Sequence, residues 1–190
     1  TIRIEAPSVP TVLVPPIMQT EQVDLIRKYI AQIKSKRHTG HEDFFNLIDE
    51  RLILVSNQAT TWQGAIKQLS SKLIAEGYAR DGIIQSAIQR EQLSYTSFME
   101  YAVPHADPDL IKKPAIAIGV YKKPIDWGEA QVKVVFFLAM TKTLRQRQID
   151  RIFDDLYGLV EDTQAVVTLS LAGQAADVVD VLTGEIGNEN

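Results

Sequence analysis

Ala115-Ile116-Ala117-Ile118-Gly119-Val120-Tyr121 and Val132-Lys133-Val134-Val135-Phe136-Phe137-Leu138-Ala139-Met140 are two almost unbroken apolar runs. Runs of this length, rich in β-branched and aromatic residues, fit strands buried on both faces, where neither side of the pleat meets water. They set the centre of a sheet, and helices must cover it above and below. Shorter strands are predicted at 101–103 and 52–55.

Helical spacing supplies the covers. Trp62, Ala65, Ile66, Leu69, Leu73 and Ile74 mark one apolar face of a helix over 60–76, opened by a capping box of Thr60 and Gln63 and stopped at Gly77. Asp81 is the expected cap of a second helix through Ile83, Ile84, Ala87 and Ile88, ending near 90–92. A short helix is predicted at 43–47. Three more helical patterns follow the second long strand, through Ile149, Ile152, Phe153, Leu156 and Leu159, through Val166, Val167 and Leu169, and through Ala176, Val179 and Leu182. The fold expected is a three-layer α/β/α sandwich with a mixed central sheet and helices on both faces.

The first forty residues read differently. Pro7, Pro10, Pro15 and Pro16 surround the β-branched stretch Thr11 to Val14 and confine it to an edge or terminal strand. Val23, Ile26, Ile30 and Ile33 then give one amphipathic helix, and the polar stretch from Ser35 to His41 reads as a linker. The chain therefore divides into 1–40, the end of a preceding domain plus a linker helix, and 41–190, a domain in its own right. A start at Thr1 within a strand-like stretch suggests a piece of a longer protein.

The 190 residues are 45% hydrophobic and 23% charged, which predicts a packed core. A formal net charge of -4 leaves no basic surface for nucleic acid. Without cysteine, thiolate catalysis and cysteine-ligated zinc are excluded. No apolar run reaches the ~20 residues that span a bilayer, and the expectation is a cytoplasmic protein that needs no cofactor and no metal.

Chemistry concentrates at Ala102-Val103-Pro104-His105-Ala106-Asp107-Pro108. Pro104 stiffens the entry to His105, and Ala106 leaves room beside the ring. Asp107 and Asp109 either orient that ring or cap the next turn. His38 and His41 with Glu42 and Asp43 have metal-like spacing but fit solvated linker residues better. Trp127 reads as a hairpin residue over the core, and Lys122 with Lys123 as a solvated pair.

Arg90-Glu91-Gln92-Leu93-Ser94, Ala102-Val103-Pro104-His105, Lys112 to Ala117 and Pro124-Ile125-Asp126-Trp127-Gly128, in this order, resemble the signature of the mannitol/fructose type of enzyme IIA of the bacterial sugar phosphotransferase system. The resemblance covers about 44–182. It implies that His105 accepts a phosphoryl group from the phosphocarrier protein and that Arg90, fifteen residues earlier, pairs with the phosphate. It further implies onward transfer to a IIB domain or use of the phosphate as a signal to adjacent regulatory domains. Two departures stand out: Phe98-Met99-Glu100-Tyr101 is one residue shorter than usual and lacks glycine, and Gln148 stands where some members have a second histidine.

Three functions follow. The segment 1–40 resembles the end of the IIB-like domain that precedes IIA in multidomain sugar-operon antiterminators and activators carrying phosphotransferase regulation domains, which makes His105 a regulatory phosphoacceptor. Alternatively the chain is a transport component, and hence part of a phosphotransferase, passing phosphate to IIB. The third reading is an interaction domain of the same fold that is not phosphorylated. A homodimer is left open.

Overall fold

The computed structural model describes residues 42–55 and 59–183, all within the second of two units, His41–Asn190. The strand and helix expected before residue 41, with His38 and His41, lie outside the described residues. Six α-helices and five strands occur among the described residues: α1 (Glu42–Phe45), β1 (Ile48–Val55), α2 (Trp62–Ala75), α3 (Ile83–Leu93), β2 (Ser97–Phe98), β3 (Tyr101–Ala102), β4 (Ala115–Trp127), β5 (Ala130–Ala139), α4 (Gln146–Glu161), α5 (Thr163–Leu171) and α6 (Ala175–Thr183). A 3₁₀ turn, Pro108–Leu110, follows β3.

The sheet runs β1-β4-β5-β3-β2. β4 and β5 are an antiparallel hairpin at its centre, β1 and β3 join them in parallel, and β2 pairs antiparallel with β3, so the sheet is mixed as expected. Period-two alternation sorts the apolar runs onto two cores. Ala115, Ala117, Val135 and Phe137 face Leu69, Leu73, Ile83 and Ala87 of α2 and α3. Ile116, Ile118, Val134 and Phe136 face Ile152, Leu156, Leu169 and Val178 of α4, α5 and α6. Each such large side chain buried contributes about 1.5–3 kcal/mol of transfer free energy, which is why both runs had to be central.

Three boundaries differ from expectation, each for a local reason. Thr61, not Thr60, caps α2, with its side-chain oxygen accepting from the Gly64 N–H at 3.2 Å. Gly82, at φ 94°, takes the cap position of α3 in place of Asp81, and no side chain caps there. β4 continues through Lys122, Lys123 and Pro124 to Trp127, because a register shift between Val120 and Ile125 takes the proline out of the regular ladder.

The short loop without glycine is a two-residue hairpin turn. Phe98 pairs with Tyr101, and Met99 between them adopts φ 50°, a left-handed conformation unusual for a side chain of that size.

Candidate functional site

His105 lies just beyond β3, alongside the C-terminal end of β5. It bridges to Leu138 in parallel, and the Leu138 N–H donates to the Pro104 carbonyl at 2.9 Å. On the other side, the Asp107 N–H donates to Ser86 Oγ of α3 at 2.9 Å. The Val103 N–H donates to the Thr96 carbonyl at 3.2 Å. The histidine is thus carried on a backbone tied to β5, to α3 and to the segment before β2, with its ring half-buried.

Burial, and after it the positive charge of Arg90, hold the His105 imidazole below its ordinary 6.5. A hydrogen bond with the Val103 backbone and the negative charge of Glu91 act the other way. The net result is a ring that is neutral near pH 7. A neutral imidazole keeps a proton on one nitrogen and presents a lone pair on the other, the state a nitrogen nucleophile needs.

Arg90 stands exposed in the last turn of α3, close enough to act on His105, and has no ion-pair partner among the described residues. An arginine in that condition is a ready fork for two oxygens of a phosphate. Of the three expected residues, Arg90 acts on His105 through its charge and Gln148 is engaged locally. Gln148, in the first turn of α4, uses its side-chain oxygen to accept from the Arg145 N–H at 3.1 Å, the return half of a capping box. Asp107 caps the 3₁₀ turn, accepting from the Asp109 N–H at 2.9 Å, and Asp109 pairs with Lys142 at 2.6 Å. Asp107 follows the capping alternative, whereas the Asp109 carboxylate is held by Lys142.

Glu91 was not singled out by its sequence. It is fully buried, and its Oε1 accepts from the Thr96 N–H at 2.6 Å and from Trp127 Nε1 at 2.7 Å, while Thr96 Oγ1 lies 3.0 Å from both carboxylate oxygens. Trp127, the last residue of β4, pairs with Ala130 across the β4–β5 hairpin and packs wholly buried in the core, as expected of a hairpin residue there. The available signal was spacing: Ile83, Ala87 and Glu91 recur every four residues on the buried face of α3.

The chain between Arg90 and His105 exposes apolar side chains. Leu93, Tyr95, Phe98 and Met99, all between Arg90 and His105 in the chain, are four of the six large hydrophobic side chains exposed among the described residues. None of the site residues lines the shallow pocket formed by Leu54, Lys67, Gln68, Ser71, Lys72 and Ala75.

Residues 46–184 match the family model of the phosphoenolpyruvate-dependent sugar phosphotransferase system, EIIA 2. The chain is 29% identical over 174 residues to the transcriptional regulator ManR of Bacillus subtilis, a match spanning 90% of this chain and 26% of that protein. It is 26% identical over 135 residues to a probable licABCH operon regulator of the same organism, across 70% of this chain and 21% of that protein. The chain thus spans about a quarter of the length of these curated relatives. In fold it is similar to a complex of enzyme IIA-mannitol and phosphorylated enzyme IIB-mannitol from Escherichia coli, with a TM-score of 0.62 at 20% identity, covering 73% of this chain and 97% of that one.

Proposed function

Given that the chain belongs to the EIIA 2 family of the phosphoenolpyruvate-dependent sugar phosphotransferase system, we propose that His105 accepts a phosphoryl group from the phosphocarrier protein and that its phosphorylation state governs a multidomain transcription regulator. The lone pair of the unprotonated ring nitrogen forms the new N–P bond as the N–P bond of the donor phosphohistidine breaks. The donor keeps that bonding pair. The other nitrogen of His105 retains its proton, so the ring gains positive charge while Arg90 balances the phosphate oxygens. Gln148, with its oxygen committed to Arg145, offers an amide but no proton shuttle. Leu93, Tyr95, Phe98 and Met99, exposed on the stretch of chain between Arg90 and His105, suit contact with a donor carried on a protein.

The regulatory reading is carried by the reach of the match to ManR. Ninety per cent of this chain is more than residues 41–190 can supply, so the similarity extends into the first forty residues, beyond the IIA-like domain. A IIA domain standing alone has no use for that shared segment. The test is made in cells with the full-length protein. His105→Ala is expected to change the sugar response of the target promoter while the rate of sugar uptake holds. Loss of uptake with an unaltered promoter response would instead make the chain a transport component.

A further inference from the structure

We propose that Glu91 is a positioning residue for His105: its buried carboxylate holds Thr96 and, through the backbone of Thr96 and Val103, fixes the orientation and the tautomer of the imidazole. The proposal rests on the reading of His105 as the phosphoacceptor. The connection is continuous. Glu91 Oε1 takes the Thr96 N–H at 2.6 Å and the Thr96 carbonyl takes the Val103 N–H at 3.2 Å, two residues before His105, and the Val103 backbone in turn favours a proton on the ring.

A carboxylate removed from water is costly unless its lone pairs are filled. Those of Glu91 are filled by neutral donors, from Thr96 and Trp127, with no ion-pair partner among the described residues. An ionised carboxylate is acceptor-only, so Oε1 takes the Thr96 N–H and the Trp127 indole while both oxygens face the Thr96 hydroxyl; a carboxamide carries no charge and sets a donor of its own against that hydroxyl. This latch joins α3 to β4 and to the segment leading into β2, and α3 and that segment also hold the backbone that carries His105.

The charge has a second use. When the N–P bond forms and the other ring nitrogen keeps its proton, the imidazole becomes cationic, and a nearby negative charge stabilises it. Glu91 acts on His105 in that sense and Arg90 in the opposite one, both from α3. On the loop after the histidine, Asp107 and Asp109 interact with Lys142 from beyond β5. Glu91 is thus the acidic group set against Arg90 at this ring.

Glu91→Gln is the test, read by NMR titration of the His105 ring and by the rate of phosphoryl uptake from the phosphocarrier protein. The ring midpoint is expected to fall further below 6.5. Uptake is expected to slow by roughly tenfold to a hundredfold, the scale of a misplaced reacting group. Imidazole nitrogen shifts of the wild type at neutral pH are expected to show one fixed tautomer. An unchanged midpoint and rate in a variant that melts like the wild type, or an even tautomer mixture in the wild type, overturns the proposal. Should Glu91→Gln not fold, Thr96→Val removes one donor to the carboxylate and carries the same readouts, with a mixed tautomer expected and an unaltered ring contradicting the latch. If the wild type takes up no phosphate, the phosphoacceptor reading fails, while the titration and tautomer results still judge the latch.

Discussion

Arg90→Gln is expected to slow phosphoryl uptake by about ten- to a hundredfold, the kinetic equivalent of the ~1.5–3 kcal/mol of a charge-assisted hydrogen bond. The substitution leaves the fold alone, because Arg90 is exposed and has no ion-pair partner among the described residues. It also moves the ring. Arg90 is one of the two causes that hold His105 below 6.5, so its removal raises the titration midpoint, opposite in sign to removal of Glu91. At pH 8, where the ring is neutral in both proteins, the rate deficit should persist, which separates lost phosphate stabilisation from a change in the nucleophile. Arg90→Lys should recover only part of the rate, since an ammonium supplies the charge without the planar fork. Equal rates for all three proteins would leave Arg90 as no more than a cation suited to a helix C-terminus.

The second large effect is on stability. Gly128 turns the β4–β5 hairpin at φ 70°, and a Cβ there would lie 2.5 Å from the Tyr95 ring. Tyr95 packs edge-on against Trp62 at a centroid distance of 5.9 Å, so its ring yields only by giving up that contact. Gly128→Ala combines the ~1–2 kcal/mol of a left-handed L-residue with the cost of displacing an aromatic ring, about 2–3 kcal/mol in all. For a domain of this size that lowers the melting temperature by roughly 5–10 °C. Because Ser97 Oγ donates to the Trp127 carbonyl at 3.0 Å, the same change disturbs β2 and should slow phosphoryl uptake as well. A melting temperature within a degree of the wild type would show that the turn absorbs the added methyl.

Much of this was legible in the chain itself. Continuous apolar runs locate β4 and β5 at the sheet centre, because strands covered on both faces leave no polar alternation, and the 3.6-residue period of Trp62 to Ile74 gives α2 nearly whole. His105 and Arg90 were singled out through a motif, and the charge of Arg90 reaches the His105 ring. What escaped is instructive. Lys122-Lys123-Pro124 interrupts an apolar pattern and so hides the second half of β4, where hydrogen bonding around a register shift outweighs local preference. Asp81 offers a better side-chain cap than Gly82, yet the left-handed φ of 94° at the helix start favours glycine. Glu91 was missed because charge predicts exposure, and its burial depends on donors that arrive from Thr96 and from Trp127, 36 residues away in the chain. Met99 shows the reverse: the missing glycine was visible in the sequence, but the left-handed turn it leaves to methionine was not.

The central claim is that His105 carries the phosphate. Incubation of the protein with phosphoenolpyruvate, enzyme I and the phosphocarrier protein, followed by intact mass measurement and site mapping under alkaline conditions, tests it most directly. The account predicts a single acid-labile phosphoryl group on His105 in the wild type and none in His105→Ala. A wild type that gains no mass, or a His105→Ala protein that gains the same group at the same rate, would contradict it.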